Sequence, residues 1–208
     1  MLKIYGRANS INVRKVLWAC AEIGVPYQRE DWGRGFRGTD EPEFRAVSGF
    51  GVVPVIDDDG YVLRESNVIV RYLAAKHRRR DLLPEDTEAR FRIEAWMDWS
   101  ASDLAQEVRI LTQTKVFKLP NFDDPKFLEP ALAAWTRQMQ ALDAHLSSGQ
   151  TYLLGDEFTA ADIPVGLFVN RWLLMPDIAR PDFDHVQRYY ATLKGRPAFL
   201  EHGANGLP

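Results

Sequence analysis

A strand, a helix and a second strand compressed into the first forty residues confine this chain to a parallel crossover at its start. Leu2 and Ile4, followed by Gly6, mark a short strand and a loop. Val13, Val16, Leu17 and Cys20 then recur at i, i+3, i+4 and i+7, the spacing of one helical face. Gly24-Val25-Pro26 stops that helix, because glycine reaches the left-handed C-cap conformation and proline just beyond discourages continuation. Tyr27 to Trp32 reads as the second strand, and so short a β-helix-β order implies a parallel pair. After a glycine-rich stretch over 33–51 with a short helical candidate at Pro42 to Val47, the strands Val53–Ile56 and Tyr61–Leu63 flank Asp57-Asp58-Asp59-Gly60, where Asp-Gly is a strong hairpin signal. A helix from about Asn67 to His77 closes this half.

From Thr87 onward the apolar pattern is helical throughout. Ala89, Ile93, Trp96, Ser100 and Leu104 form one stripe, and Leu128, Leu132, Trp135, Met139, Leu142 and Leu146 form another. Pro120 and Pro125 separate these helices, Pro176 and Pro181 fall in a later connection, and Pro197 opens a last short helix. Thr159-Ala160-Ala161-Asp162 has the form of a capping box, with Phe158 as its hydrophobic staple. The fold expected is an α/β N-terminal domain over 1–80, a linker over 81–87 and an all-α domain over 88–208.

A hydrophobic fraction of 46% supplies a core, and the net charge of −3 gives no reason to expect nucleic acid or an anionic membrane. Cys20 is the single cysteine, so no intramolecular disulfide forms. The four histidines are scattered without metal-binding spacing, so no metal is expected. No apolar run approaches the roughly 20 residues of a membrane span, and no basic and apolar leader follows Met1; a cytoplasmic protein is expected.

Several residues could carry chemistry. Val53-Pro54 at the entry to a strand invites a cis bond, which would turn the Val53 N–H and C=O toward a bound peptide. Ser66 is either an N-cap or, with Glu65, a receiver of a zwitterionic amino-acid end, the carboxylate on Ser66 and the ammonium on Glu65. Ser10 or Asn12 either caps the first helix or hydrogen-bonds a thiolate held at the helix N-terminus. Cys20 lies on an apolar face and reads as inert, and Arg78-Arg79-Arg80 reads as solvated cations at a helix C-terminus rather than a phosphate patch.

These segments together resemble the cytosolic glutathione S-transferase family across essentially the whole chain. The run Tyr5-Gly6 through Ser10 and Asn12-Val13-Arg14-Lys15-Val16 is similar to the serine-type start of theta, phi and zeta members. Gly51-Val52-Val53-Pro54-Val55 is similar to the cis-proline segment, Glu65 through Leu73 to the Glu-Ser segment, and Leu154 through Asp162 to the C-domain capping motif. The resemblance implies a thioredoxin-like domain followed by a helical bundle, glutathione as co-substrate and a homodimer. It implies that Ser10 activates the thiol with Asn12 as second candidate, that Val53 and Pro54 meet the cysteinyl backbone, and that Glu65 and Ser66 hold the γ-glutamyl end.

Two positions depart from the family pattern: Ser48-Gly49 stands where Asn-Pro is common, and Val52 where a polar residue often precedes Val-Pro. Arg37 is the candidate to compensate at the glycine carboxylate. Trp99, Phe117 and Trp172 are candidates to line the pocket for a small hydrophobic electrophile. The reaction expected is conjugation of the glutathione thiolate. Alternatives are a glutathione-dependent peroxidase, isomerase or dehalogenase on the same site, and a binding or assembly module without catalysis.

Overall fold

The computed structural model describes residues 1–119 and 124–207. Pro120, expected between helices, lies outside the described residues. Strand β1 (Leu2–Tyr5), helix α1 (Ile11–Ile23) and strand β2 (Tyr27–Glu30) form the parallel crossover, with Leu2 beside Tyr27 and Tyr5 beside Glu30. β2 ends two residues before the expected Trp32, which instead makes an isolated bridge to Arg37 and buries its ring 5.3 Å from Phe44. Gly24 adopts the left-handed C-cap, at φ 82°.

Helix α2 (Pro42–Val47) precedes the antiparallel hairpin of β3 (Val55–Asp58) and β4 (Tyr61–Arg64). Asp59 and Gly60, both at positive φ, make its turn, and the Gly60 N–H donates to Asp57 Oδ1 at 2.7 Å. The sheet order is β2-β1-β3-β4, with β1 and β3 antiparallel. Strand alternation divides the side chains between two faces. Ile4 and Ile56 meet α1 and α3 (Ser66–Lys76) on one face, while Tyr5 and Val55 meet Phe44 of α2 on the other.

The second half is helical: α4 (Thr87–Ala101), α5 (Asp103–Leu111), a π-helical turn at Thr112–Val116, α6 (Pro125–Leu146), α7 (Asp162–Leu174), α8 (Asp184–Lys194) and α9 (Pro197–His202). Asp86 caps α4, accepting the Ala89 N–H at 2.9 Å, and Pro197 stands at the start of α9 as expected. The first stripe is corrected by one position. Ala89 is exposed and Trp96 half-buried, while Ile93, Met97, Ser100 and Leu104 face inward. The chain breaks helical geometry at Ser102 (φ −95°, ψ −88°), which divides α4 from α5. None of the described helices is long and apolar enough to cross a membrane.

The two halves share one core. Trp18, Ala19, Val70 and Ala74 from the first half cluster with residues of the helical half. Trp18 packs 4.7 Å from the Phe199 ring and donates its indole N–H to Glu22, which also receives two hydrogen bonds from Arg196 at 2.8 and 2.6 Å. Asn67 donates to the Met97 carbonyl across the same boundary at 2.6 Å. The segment 81–87 is therefore no free tether: Leu82 and Leu83 are buried in this core, and the Leu82 carbonyl accepts the Ala160 N–H. Arg79 and Arg80 pair with Asp81 and Glu85, so two of the three arginines in the basic string are neutralised locally.

The capping box at α7 is a structural hub. Asp162 is fully buried and accepts from the Thr159 N–H (2.8 Å), the Thr159 hydroxyl (3.1 Å), the Leu153 N–H (3.0 Å) and the Tyr189 hydroxyl (3.0 Å). Removing the carboxylate strands several buried donors, each costing about 1–3 kcal/mol. Asp162→Ala is expected to lower unfolding free energy by about 3 kcal/mol or more in urea titrations, and a loss under 1 kcal/mol would mean that the hub is dispensable.

Candidate active site

The loop after β1 is held by hydrogen bonds from the Gly6 N–H to the Glu30 carbonyl (2.8 Å) and from the Arg7 N–H to the Trp32 carbonyl (3.1 Å). Gly6 sits at φ 153°, and a Cβ there would lie 2.5 Å from Val13 Cγ2 and 3.2 Å from Val53 Cβ. Glycine is what lets α1 and the Val53 segment close on the same point.

Ser10 is the N-cap of α1. Its carbonyl accepts the Arg14 N–H at 2.9 Å, but its hydroxyl makes no capping bond. The side chain is 8% exposed at a helix N-terminus, where the partial positive charge of the unpaired N–H groups favours an anion. Two residues on, the exposed Asn12 side chain accepts a hydrogen bond from the Ser66 hydroxyl at 3.4 Å. Ser66 is the first residue of α3, not its cap; that place is taken by Glu65. Glu65 holds φ 70° and ψ 109°, a backbone conformation that costs a non-glycine residue energy and is typical of functional sites. Its exposed carboxylate meets Arg64. The Val53-Pro54 peptide is cis, and the Val53 N–H and C=O have no hydrogen-bond partner among the described residues.

Beside Asn12, a cleft of about 230 Å³ opens between α1, α5 and α7. Phe117 lines it, with the Arg34 guanidinium 3.8 Å from the ring centre. Trp99 and Trp172 do not line it. Trp99 donates to Gln138 and borders a separate groove with Trp96 on the face between α4 and α6. Trp172 is 1% exposed and packs edge-on against Trp135, 4.9 Å away, as core. Arg37 is engaged by Glu41 and Glu43 and lies over Trp32.

Residues that the sequence reading passed over make up much of the cleft: Arg34, Arg109, Phe168 and Arg171. One signal was present, since Ala105, Val108, Arg109, Thr112 and Gln113 follow helical spacing and share a face. Beneath them Lys15 is 2% exposed, with its ammonium 5.5 Å from the Phe168 ring centre. Burial, reinforced by Arg171 and opposed by Glu65, pulls its pKa down to about 7. Burial likewise lowers Arg14 and Arg171, which remain charged guanidinium groups. Cys20 is fully buried, and burial alone pushes its thiol up to about 12, so it is inert.

Comparison with known proteins follows the same outline. Residues 9–76 match the family profile described as the glutathione S-transferase N-terminal domain, and residues 110–197 the profile of its C-terminal domain. Glutathione S-transferase GstB of Escherichia coli strain K12 is 32% identical over 200 residues, covering 95% of each chain. The theta class glutathione S-transferase from Xanthomonas axonopodis pv. citri, solved with glutathione bound, superposes with a TM-score of 0.91 at 40% identity, covering 100% of this chain and 99% of that one. Elongation factor 1-gamma of Prunus avium is 32% identical over 164 residues, 76% of this chain but 37% of that protein. The chain belongs to the glutathione S-transferase family.

Lys15 supplies a pH test. Its folded pKa lies below the unfolded value of about 10.4. The stability linked to it is therefore present above pH ~10.4 and lost as pH falls toward about 7. Lys15→Met is expected to raise the urea midpoint most at pH 6 to 7, with the advantage shrinking by pH 10. A difference that stays constant over this range would contradict a desolvated ammonium.

Proposed function

We propose that the chain is a serine-type glutathione transferase in which Ser10 donates its hydroxyl hydrogen to the sulfur of bound glutathione. The observation that carries this reading is the buried Ser10 hydroxyl left without a capping bond at the α1 N-terminus. Lowering a thiol pKa by about two units requires roughly 2.7 kcal/mol of preferential thiolate stabilisation. A hydrogen bond to a charged sulfur, with the helix terminus behind it, supplies energy of that order. The free N–H and C=O of Val53 pair with the cysteinyl backbone beside Pro54, and Asn12 is the neighbouring polar contact. Glu65 and Ser66 receive the γ-glutamyl ammonium and carboxylate. Arg37 is the cation available to the glycine carboxylate if it leaves Glu41. The thiolate then attacks an electrophilic carbon held in the cleft beside Phe117.

Ser10→Ala is expected to cut kcat with a nitroaryl halide about 10- to 100-fold while the KM for glutathione moves less than about threefold, because a bond to a charged partner is worth about 1.5–3 kcal/mol. Equal losses in turnover and glutathione binding would remove Ser10 from the thiol. Similarity to part of elongation factor 1-gamma favours a second reading, a binding module without chemistry. Calorimetry separates the two, since no glutathione binding at millimolar concentration supports the module.

We also propose a cytoplasmic homodimer. Phe50, Val52, Val62, Val68 and Phe91 are apolar side chains left 41–65% exposed, which a second copy would cover. Phe50→Glu should shift sedimentation toward the monomer; an unchanged sedimentation coefficient would place any interface elsewhere.

A further inference from the structure

Among the described residues the cleft is lined by three arginines, Arg34, Arg109 and Arg171, and by no carboxylate, in a chain of net charge −3. Several arginines elsewhere are paired, Arg79 with Asp81, Arg80 with Glu85 and Arg196 with Glu22, and others such as Arg14 and Arg188 donate to backbone carbonyls. Arg34 and Arg109 have no ion-pair partner among the described residues, and Arg34 lies over the Phe117 ring instead. Behind them Lys15, nearly fully buried, has no hydrogen bond or ion pair with a described residue. Concentrating cations in a concave apolar setting raises the local potential for anions far above that of an open surface.

We propose that the acceptor taken by this cleft is an anionic electrophile, an aromatic or unsaturated body carrying a carboxylate or sulfonate near its reactive carbon. The apolar body packs on Phe117 and Phe168, and the anionic end reaches Arg34 and Arg109, whose planar guanidinium groups match a carboxylate edge to edge. The same cations stabilise charge that develops on the acceptor as the thiolate attacks. With a chloronitrobenzoate, the sulfur lone pair forms the C–S bond at the chlorinated carbon and negative charge spreads into the ring. The C–Cl bond then breaks, chloride leaves with its electron pair, and the proton of the glutathione thiol passes to solvent. This inference rests on the transferase reading for its chemistry, but the charge preference of the cleft can be read without turnover.

The experiment compares 4-chloro-3,5-dinitrobenzoate with its methyl ester, corrected for the uncatalysed rates, in the wild type and in the double variant Arg34→Gln, Arg109→Gln. The wild type is expected to favour the acid over the ester at least tenfold in kcat/KM relative to the uncatalysed ratio, and to lose that preference as salt is raised. The double variant should lose about tenfold on the acid and much less on the ester, with the KM for glutathione shifted less than twofold.

An equal or greater preference for the ester in the wild type overturns the proposal. So does a double variant that loses both acceptors equally while the KM for glutathione rises, because the arginines then serve glutathione. Calorimetry with 3,5-dinitrobenzoate and its methyl ester keeps the two readings apart. Benzoate binding that exceeds ester binding about tenfold supports the anionic cleft even if glutathione fails to bind and the transferase reading falls. Equal binding of the two compounds overturns the cleft whatever glutathione does.

Discussion

The burial of α1 on two opposite sides is the constraint on which the rest of the molecule depends. Val13, Val16, Leu17 and Cys20 face the sheet, while Trp18 and Ala19 face the helical half. A helix covered in this way cannot tilt without opening one core or the other. Its N-terminus is therefore a fixed point, and that terminus carries Ser10. The Glu22–Arg196 pair and the Trp18–Phe199 contact hold the other end against α9.

Fixing α1 also accounts for the arrangement of charge. Arg14 and Lys15 are carried into the interior because residues on both sides of them are packed, and long aliphatic stems bury readily while the polar ends seek partners. Arg14 finds the Gly206 carbonyl at 2.8 Å. Lys15 finds the Phe168 ring, with the Arg171 charge acting against its ammonium and the Glu65 charge in its favour. The cost of that arrangement is offset by the shared core around it, and the outcome is a cationic floor beneath a cleft whose rim already carries arginine.

Much of the outline was legible from short-range rules. The Asp-Gly turn, the glycine stop of α1, the capping box at Asp162 and the long stripe of α6 are each set within a few residues by backbone chemistry or helical spacing. The aromatic residues were less legible, because periodicity identifies an inward face without saying what it meets. Trp172 faces Trp135 in the core, Trp99 faces a groove on the far side of the bundle, and of the three aromatics considered only Phe117 borders the cleft. Residues 81–87 misled for a related reason: they lack periodicity, yet Leu82 and Leu83 are pinned by contacts with residues some eighty positions later.

By itself the sequence determined the order of elements and the division into an α/β half followed by a helical half, since these rest on backbone preferences and apolar spacing that act over a few residues. Only the tertiary structure decided that the Ser10 hydroxyl is not spent on capping, that Ser66 turns to Asn12, and that Arg34, Arg109 and Arg171 converge on one cleft. Those facts depend on which elements pack together, and electrostatic potential sums over neighbours in space, not along the chain.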